Sequence, residues 1–254
     1  MNEGAAHDGP LLRVRAVVAY DGTEFHGVAV NRGVATVHGA IIAVVDKVLH
    51  HRIDPVCAGR TDAGVHARRQ TISFDVPVTT DLAKLQRSLN KLLGPSIVVR
   101  SLVPAPGFHA RFDAHWRRYR YVVLNSLVDD PALHRTTWHV VAPLNLATMR
   151  LACDPLIGEH DFAAFCRAGP NTTVRRVLEA EWFDDGDGLL RFEIQATAFC
   201  QQMVRSIVGM MVDIGRGRRS AGEMAGILRA RDRRAMGTIA PARGLSLWDV
   251  GYPG

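Results

Sequence analysis

The chain has 254 residues, of which 47% are apolar, and this length is enough for one large domain or two small ones with a buried core. Its 31 Lys and Arg residues, most of them Arg, outnumber 25 Asp and Glu residues and give a formal charge of +6. This balance favours a polyanionic partner, although a GC-rich genome enriches Arg without any such partner. No zinc-protease or phosphate-loop motif occurs, and no apolar run approaches the roughly 18 residues of a membrane span.

The cysteines, the histidines and the N-terminal segment indicate a cytoplasmic protein without a metal site. The four cysteines, Cys57, Cys153, Cys166 and Cys200, are scattered and form no Cys-x-x-Cys pair, so we expect buried thiols in a reducing compartment. The 11 histidines do not stand at helical metal-binding spacing with a carboxylate. Residues 1–10 are polar and lack the apolar core of a signal peptide, so we expect a disordered tail.

The first half of the chain predicts the order strand, helix, strand, strand, helix, strand. Apolar and β-branched runs predict the strands, and apolar residues at three- and four-residue spacing predict the helices. The predicted elements are strand 11–20, a helix from Thr36 to about 51, strands 53–58 and 69–76, a helix from Thr80 or Asp81 to Gly94, and strand 97–103. This order is typical of a ferredoxin-like split βαβ unit.

The second half predicts a similar order without sequence identity to the first. Its predicted elements are strand 116–125, helix 145–157, a hairpin of strands 175–184 and 189–198, helices 201–215 and 221–230, and strand 245–250. Pro155 would shorten its helix or begin a new one. We therefore predict an α+β fold of two ferredoxin-like halves, 11–106 and 107–254. They would lie side by side and form a central, largely antiparallel sheet, with helices packed on one face and a cleft between the halves.

The stretch from Cys57 to Ala67 is the candidate reactive loop. It contains Asp62 between two glycines, and glycine lets the backbone adopt conformations closed to other residues and lets another segment approach closely. Arg60 supplies a nearby cation that favours the ionised carboxylate, which is the form that attacks an electrophile. The alternative is a polar turn whose Asp62 caps the backbone or pairs with a surface Arg. Taken alone, these residues support both interpretations equally.

A second cluster, Arg111–Tyr121, interleaves arginine with aromatic residues. On a strand, Arg117, Tyr119 and Tyr121 would share one face, and the intervening arginines would lie on the other. Such a strand suits an unstacked base of single-stranded RNA, which needs an aromatic ring and cations. The alternative is a half-buried strand with a solvated Arg face.

Late in the chain, apolar residues at helical spacing predict that helix 201–215 belongs to the core. Arg205 interrupts this apolar stretch, and a lone cation there requires a carboxylate partner. The basic runs 216–219 and 229–234 are explained most simply as solvated helix ends, with phosphate contact as the alternative.

The segment Gly59–His66, Gly-Arg-Thr-Asp-Ala-Gly-Val-His, closely resembles the catalytic loop of the TruA family of tRNA pseudouridine synthases. Other segments resemble the family in its order along nearly the whole chain. They are Tyr20-Asp21-Gly22-Thr23, Phe108-His109-Ala110-Arg111-Phe112, Arg117-Arg118-Tyr119-Arg120-Tyr121, Thr173-Val174-Arg175, Ala198-Phe199, Met203-Val204-Arg205 and Gly244-Leu245-Ser246-Leu247.

This resemblance implies the pseudouridine synthase fold and a homodimer that isomerises uridine in the anticodon stem-loop of tRNA, at tRNA positions 38 to 40. It implies that Asp62 is the nucleophile and that Arg205 is the cation paired with it. It also implies that Tyr119 packs on the target base and that Arg60 helps to hold the displaced nucleotide. A carboxylate that attacks C6 of the base or C1′ of the sugar needs no metal or redox cofactor, so we expect none. The sequence leaves open which of the two atoms is attacked.

One segment departs from the family's pattern. Where the family usually has Gly-Trp-Gln-x-Gln, this chain has Gly27-Val28-Ala29-Val30-Asn31. The aromatic tryptophan and the two polar glutamines of that pattern are therefore missing. Gln201 and Gln202 also replace basic or imidazole side chains, and Ser206 replaces a frequent Asn. The main hypothesis is an RNA uridine isomerase that uses Asp62. The alternatives are a divergent paralogue that acts on another RNA, a non-catalytic RNA-binding or RNA-folding protein, and a DNA-binding protein, against which the lack of a helix-turn-helix or zinc motif counts.

Overall fold

The computed structural model describes residues 9–170 and 172–253, so most of the predicted N-terminal tail, residues 1–8, lies outside the described residues. The fold is α+β with a large, mostly antiparallel sheet, as predicted. The chain divides into two compact units. The first unit contains the described residues of Met1–His115 and Leu247–Gly254, and the second contains Trp116–Ser246.

The first unit has the predicted order of elements. They are β1 (Leu11–Tyr20), α1 (Val37–Leu49), β2 (Val56–Cys57), β3 (His66–Pro77), α2 (Leu82–Leu93) and β4 (Ile97–Pro104). β1 pairs antiparallel with both β3 and β4, and β2 pairs with β3, which is the pairing of a split βαβ unit. The side chains of Thr36 and Asp81 cap α1 and α2 by accepting hydrogen bonds from backbone N–H groups.

The two strands that flank the candidate loop differ in length from the prediction. The predicted strand 53–58 is wrong at its beginning, because β2 consists of Val56 and Cys57 alone. Pro55 precedes them and lacks the N–H that a strand ladder requires. β3 begins at His66, three residues earlier than predicted, because its first residues pair with the end of β1 at Tyr20. The loop that carries Asp62 is therefore bounded by strands that both belong to the sheet.

Among its described residues, the second unit contains a further set of strands and three α-helices. They are β5 (Trp116–Leu124), β6 (Trp138–His139), α3 (Leu146–Leu151), β7 (Gly158–Asp161), β8 (Val174–Gly186), β9 (Leu189–Ala196), α4 (Met203–Gly215) and α5 (Glu223–Ala230). The strand order is β5-β9-β8-β7, and β6 pairs parallel with β5. β8 and β9 form the predicted hairpin, with Asp187 and Gly188 at positive φ in its turn. The last strand, β10 (Leu245–Gly251), begins in this unit and ends in the first.

Two helices of the second unit differ in how closely they match their predictions. The helix predicted over 145–157 is wrong in length, because α3 ends at Leu151 and Pro155 lies in a separate 3-10 turn, Asp154–Leu156. Proline cannot donate the hydrogen bond that would continue the helix. α4 follows its prediction closely, and all of its residues except Arg205 are buried.

Candidate functional site

Two side chains from neighbouring strands hold the loop that carries Asp62. The hydroxyl of Tyr20, at the end of β1, forms a 2.8 Å hydrogen bond with Thr61 Oγ1. Gln70 in β3 donates from Nε2 to the Gly59 carbonyl oxygen at 2.6 Å and accepts from the Gly59 N–H through Oε1 at 3.4 Å. Tyr20, Thr61 and Gln70 are buried, so water competes little for these bonds. Burial also raises the pKa of Tyr20, which keeps its hydroxyl protonated.

Two glycines let the segment that follows β1 pack directly on the Asp62 loop. A Cβ on Gly22 would lie 2.0 Å from the Val65 carbonyl oxygen. Gly27 has a φ of 95°, and a Cβ there would lie 2.9 Å from the Thr61 carbonyl oxygen. The N–H of Val28 donates to that same carbonyl at 3.2 Å. The segment that departs from the family's pattern therefore contacts the backbone of the candidate loop.

Asp62 is partly exposed, and its carbonyl oxygen accepts from the Val65 N–H at 3.2 Å. Arg60 is exposed, and within the described part of the chain its guanidinium makes no hydrogen bond or salt bridge. The nearby cation expected from the sequence is therefore not fixed to Asp62 by a salt bridge. The side chain of Arg60 is instead open to solvent.

In the second unit, β5 alternates between a buried and a partly exposed face, as predicted. Tyr119 lies on the buried face and is 6% exposed. Its ring stands edge-on to Phe199, with the ring centroids 4.9 Å apart and the planes at 84°. Arg117 on the same face is also buried and donates from Nη1 to the Thr197 carbonyl oxygen at 2.8 Å. Both side chains are thus packed against the segment that follows β9.

The opposite face of β5 carries arginines that are paired with carboxylates of β8 and β9. Arg118 forms a 2.8 Å salt bridge with Glu179, and Arg120 donates from Nε to Glu193 at 2.9 Å. These pairs favour the alternative interpretation, a half-buried strand with a solvated Arg face. Each basic run near the C-terminus also contains an arginine paired with a carboxylate: Arg219 pairs with Glu223 at 3.5 Å, and Arg231 pairs with Asp161 at 3.4 Å.

Arg205 is held by the segment that runs towards the last strand. Its Nε donates to the Ala240 carbonyl oxygen at 2.8 Å, and the Ala240 N–H donates to the Arg205 carbonyl oxygen at 3.0 Å. One turn later, Gly209 approaches the same segment so closely that a Cβ would lie 1.8 Å from the Thr238 carbonyl oxygen. This close packing fixes the direction in which the guanidinium of Arg205 leaves α4.

Neither a metal cluster nor a membrane helix occurs in the described ranges. Within residues 9–170 and 172–253, no group of three His, Cys, Asp or Glu residues is placed to hold a metal ion. The helices of these ranges are all too short or too polar to cross a membrane.

Comparison with known proteins decides the family. A family model described as tRNA pseudouridine synthase matches residues 152–253. A tRNA pseudouridine synthase A of Brevibacillus brevis is 41% identical over 245 residues, which cover 95% of this chain and 100% of the relative. The chain belongs to the tRNA pseudouridine synthase family. Relatives with the same name in Corynebacterium glutamicum and Bacillus subtilis are 40% and 38% identical, over 95% of this chain and over 90% and 99% of their own lengths.

As a member of the tRNA pseudouridine synthase family, the protein is an isomerase that acts on uridine in tRNA. The resemblance found in the sequence and the predicted enzyme class are therefore confirmed. The match to the family model includes Arg205 but begins after Asp62 and Tyr119. The match to the relative from Brevibacillus brevis covers 95% of the chain, and this range includes the positions of Asp62 and Tyr119.

Sequence reasoning missed the residues that hold the pseudouridine synthase loop in place. Gln70 lies in the predicted strand 69–76, and a glutamine on the buried face of an apolar strand requires a hydrogen-bond partner. Tyr20 belongs to the motif Tyr20-Asp21-Gly22-Thr23, but its bond to Thr61 joins residues 41 positions apart. The sequence signal is a polar residue at a buried strand position. Its hydrogen-bond partner could not be predicted from the sequence.

Proposed function

We propose that this tRNA pseudouridine synthase uses Asp62 as its nucleophile. The observation that supports this is the construction of the loop, in which Tyr20 holds Thr61 and Gln70 holds Gly59 while Asp62 stays partly exposed. A carboxylate on a fixed backbone with access to solvent is ready to meet a nucleotide that has left the base stack. Such preorganisation avoids an ordering cost when the substrate binds.

The chemistry of the reaction suits a carboxylate. Isomerisation breaks the bond between N1 and C1′, rotates the uracil and rejoins it to C1′ through C5. C5 loses its proton and N1 gains one, so that no atoms are gained or lost overall. A carboxylate oxygen that attacks C6 of the base or C1′ of the sugar forms a covalent intermediate, and the later bond cleavage restores the carboxylate. The target nucleotide must first leave the stack, which costs about a few kcal/mol that contacts to the protein must offset.

We assign substrate binding to Tyr119, Arg205 and Arg60. The ring of Tyr119 has an orientation fixed by Phe199, and its 6% exposure means that a base packs on it after a local movement of the groups that cover it. Arg205 has a guanidinium directed by its bond to Ala240, which suits recognition of a carboxylate or a phosphate. Arg60 is exposed and suits the phosphates of the displaced nucleotide.

The proposed target is the anticodon stem-loop at tRNA positions 38 to 40, and the proposed working form is a cytoplasmic homodimer. The resemblance of the sequence motifs to the TruA family supports this, and a relative named tRNA pseudouridine synthase A matches 95% of the chain. The segment 27–31 differs from the family's pattern, and Val28 contacts the backbone of Thr61. We therefore expect changes in the segment 27–31 to alter which uridine is modified more than they alter the reaction at that uridine.

The test compares wild type, Asp62→Asn and the control Asp54→Asn, whose carboxylate is exposed and lies outside the loop. Treated tRNA is mapped by carbodiimide modification and primer extension. We expect Asp62→Asn to abolish pseudouridine formation with tRNA affinity kept within about tenfold, and Asp54→Asn to remain active. Modification by the Asp62→Asn protein would overturn the nucleophile assignment.

The same mapping with wild type and total RNA tests the proposed position. Pseudouridine at tRNA positions 38 to 40 supports it, and pseudouridine elsewhere in tRNA contradicts it. A wild-type protein that binds tRNA without forming pseudouridine would support the non-catalytic alternative.

A further inference from the structure

Phe112 exposes 75% of its surface in the turn between β4 and β5. A large aromatic side chain in this position gains little from burial in the folded protein. Its surroundings are nevertheless ordered. The ring of His109 stacks on it with the centroids 4.2 Å apart and the planes at 23°, and Cζ of Arg111 lies 5.7 Å from its centroid.

Hydrogen bonds inside the turn hold this stack together. His109 Nδ1 accepts from the backbone N–H of Phe112 at 3.1 Å and from the backbone N–H of Arg111 at 3.3 Å. The His109 N–H in turn donates to Asp113 Oδ2 at 2.8 Å. The imidazole is therefore fixed against the ring of Phe112 by the backbone of the turn itself.

The turn is also anchored to the sheet beneath it. Ala110 is fully buried, and its N–H donates to Ser73 Oγ of β3 at 3.2 Å. Its carbonyl oxygen accepts from the Tyr252 hydroxyl at 2.7 Å. The Tyr252 ring packs against Phe108 at a centroid distance of 4.9 Å. An exposed aromatic ring is thus presented from a rigid base, which reduces the entropy lost when a partner stacks on it.

We propose that His109, Arg111 and Phe112 form a stacking site for a nucleobase of tRNA other than the target uridine. Proteins recognise unpaired bases by stacking them on aromatic rings, with nearby arginine contributing cation–π and phosphate contacts. The substrate class of the family supplies such a base, and a polyanion complements the charge of Arg111. A second copy of this chain fits less well, because it would bring the charge of its own Arg111 to the same place.

The position of the site separates it from the chemistry. Ser73, which anchors the turn, lies seven residues along β3 from His66, where the Asp62 loop ends. Seven residues of strand span about 23 Å. A base stacked on Phe112 is therefore a different nucleotide from one that reaches Asp62. That a base stacks on Phe112 rests on tRNA as substrate, and that this base is not the target uridine rests on the proposed role of Asp62.

The test measures tRNA affinity for Phe112→Ala, Phe112→Leu and Phe112→Trp at fixed salt concentration. Loss of one base–aromatic stack weakens binding about 5- to 150-fold, and we expect this for Ala and Leu, which remove the ring. Phe112→Trp keeps an aromatic face and should bind within about threefold of wild type. Leu127→Ala is the matched control, since Leu127 is 83% exposed and apolar without belonging to the stack, and it should bind as wild type.

Two further readouts separate the alternatives. We expect Phe112→Ala to raise KM and leave kcat at saturating tRNA unchanged, because the stacked base does not react. The same loss of affinity should appear in an Asp62→Asn background, whatever the role of Asp62. Unchanged binding by Phe112→Ala, full affinity of Phe112→Leu, or a change of oligomeric state without a change in tRNA affinity would each overturn the proposal.

Discussion

Gln70 forms two hydrogen bonds with the backbone of Gly59. Its Nε2 donates to the carbonyl oxygen at 2.6 Å, and its Oε1 accepts from the N–H at 3.4 Å. The side-chain amide of Gln70 makes the two backbone hydrogen bonds that a neighbouring strand would otherwise make. It does so at the point where the chain leaves β2 and enters the Asp62 loop. Because Gly59 lies three residues before Asp62, this pair fixes the backbone that leads to the proposed nucleophile. We therefore expect Gln70 to act as a positioning residue for the proposed nucleophile.

Replacing Gln70 by Glu should lower kcat about 10- to 100-fold while KM for tRNA changes less than about threefold. The substitution keeps the shape of the side chain but removes the donor to the Gly59 carbonyl, and small displacements of a reacting group are costly. Steady-state kinetics with tRNA measure both constants. Gln86→Glu is the matched control, because Gln86 Nε2 donates to the Val99 carbonyl oxygen at 3.0 Å, away from the loop. An equal fall of kcat in both variants would mean that general destabilisation is the cause.

Gly22→Ala should destabilise the protein by about 1–3 kcal/mol and strongly reduce activity. The added Cβ would lie 2.0 Å from the Val65 carbonyl oxygen, so either the turn after β1 or the Asp62 loop must move. Urea unfolding measures the change. Gly226→Ala in α5 is the control, since a Cβ there meets nothing within 4 Å, and alanine should stabilise the helix by up to about 1 kcal/mol. Equal stability of Gly22→Ala and wild type would contradict the close packing.

Local signals made much of the fold predictable. Thr36 and Asp81 cap the helices that their sequence positions indicated, and the hairpin turn at Asp187 follows from its flanking glycines. The length of β2 was not predictable, because it depends on which residues pair with β3 and on Pro55. The extent of a strand is decided by a partner that is distant in the sequence.

The candidate site shows the same division. Asp62 and its glycines are visible in one continuous stretch, so a loop of this kind can be found from the sequence. The bond between Gln70 and Gly59 spans two strands, and the carboxylates that pair with Arg118 stand on other strands at residues 179 and 193. These contacts depend on strand register, which composition and spacing do not determine.

Cys200 should react with iodoacetamide with a midpoint near pH 7. A hydrogen bond from the Cys166 thiol and the charge of Arg175 lower the pKa of Cys200 to about 7, whereas that bond and burial raise the pKa of Cys166. The thiolate is the reactive form, so alkylation rises as the pH passes the pKa. Mass spectrometry of the labelled peptide gives the midpoint. In Cys166→Ala it should rise towards the ordinary value of about 8.5, and an unchanged midpoint would exclude the hydrogen bond as the cause.

His38 should make the protein less stable as the pH falls from about 6.5 to about 4. The side chain is 5% exposed, its Nε2 has no hydrogen-bond partner among the described residues, and burial lowers its pKa to about 4. Below about pH 6.5 the unfolded chain binds a proton at His38 that the folded protein does not take up until about pH 4. The contribution to stability is therefore complete above pH 6.5 and is lost on acidification.

Urea unfolding at pH 7 and pH 4.5 measures this loss. Wild type should lose about 2–3 kcal/mol more than His38→Gln between these two values, because glutamine does not titrate. His115→Gln is the control, since His115 is exposed, and it should lose as much stability as wild type. If His38→Gln and wild type lose equal stability, the folded protein takes up the proton at His38 as readily as the unfolded chain does, and burial does not keep this imidazole neutral.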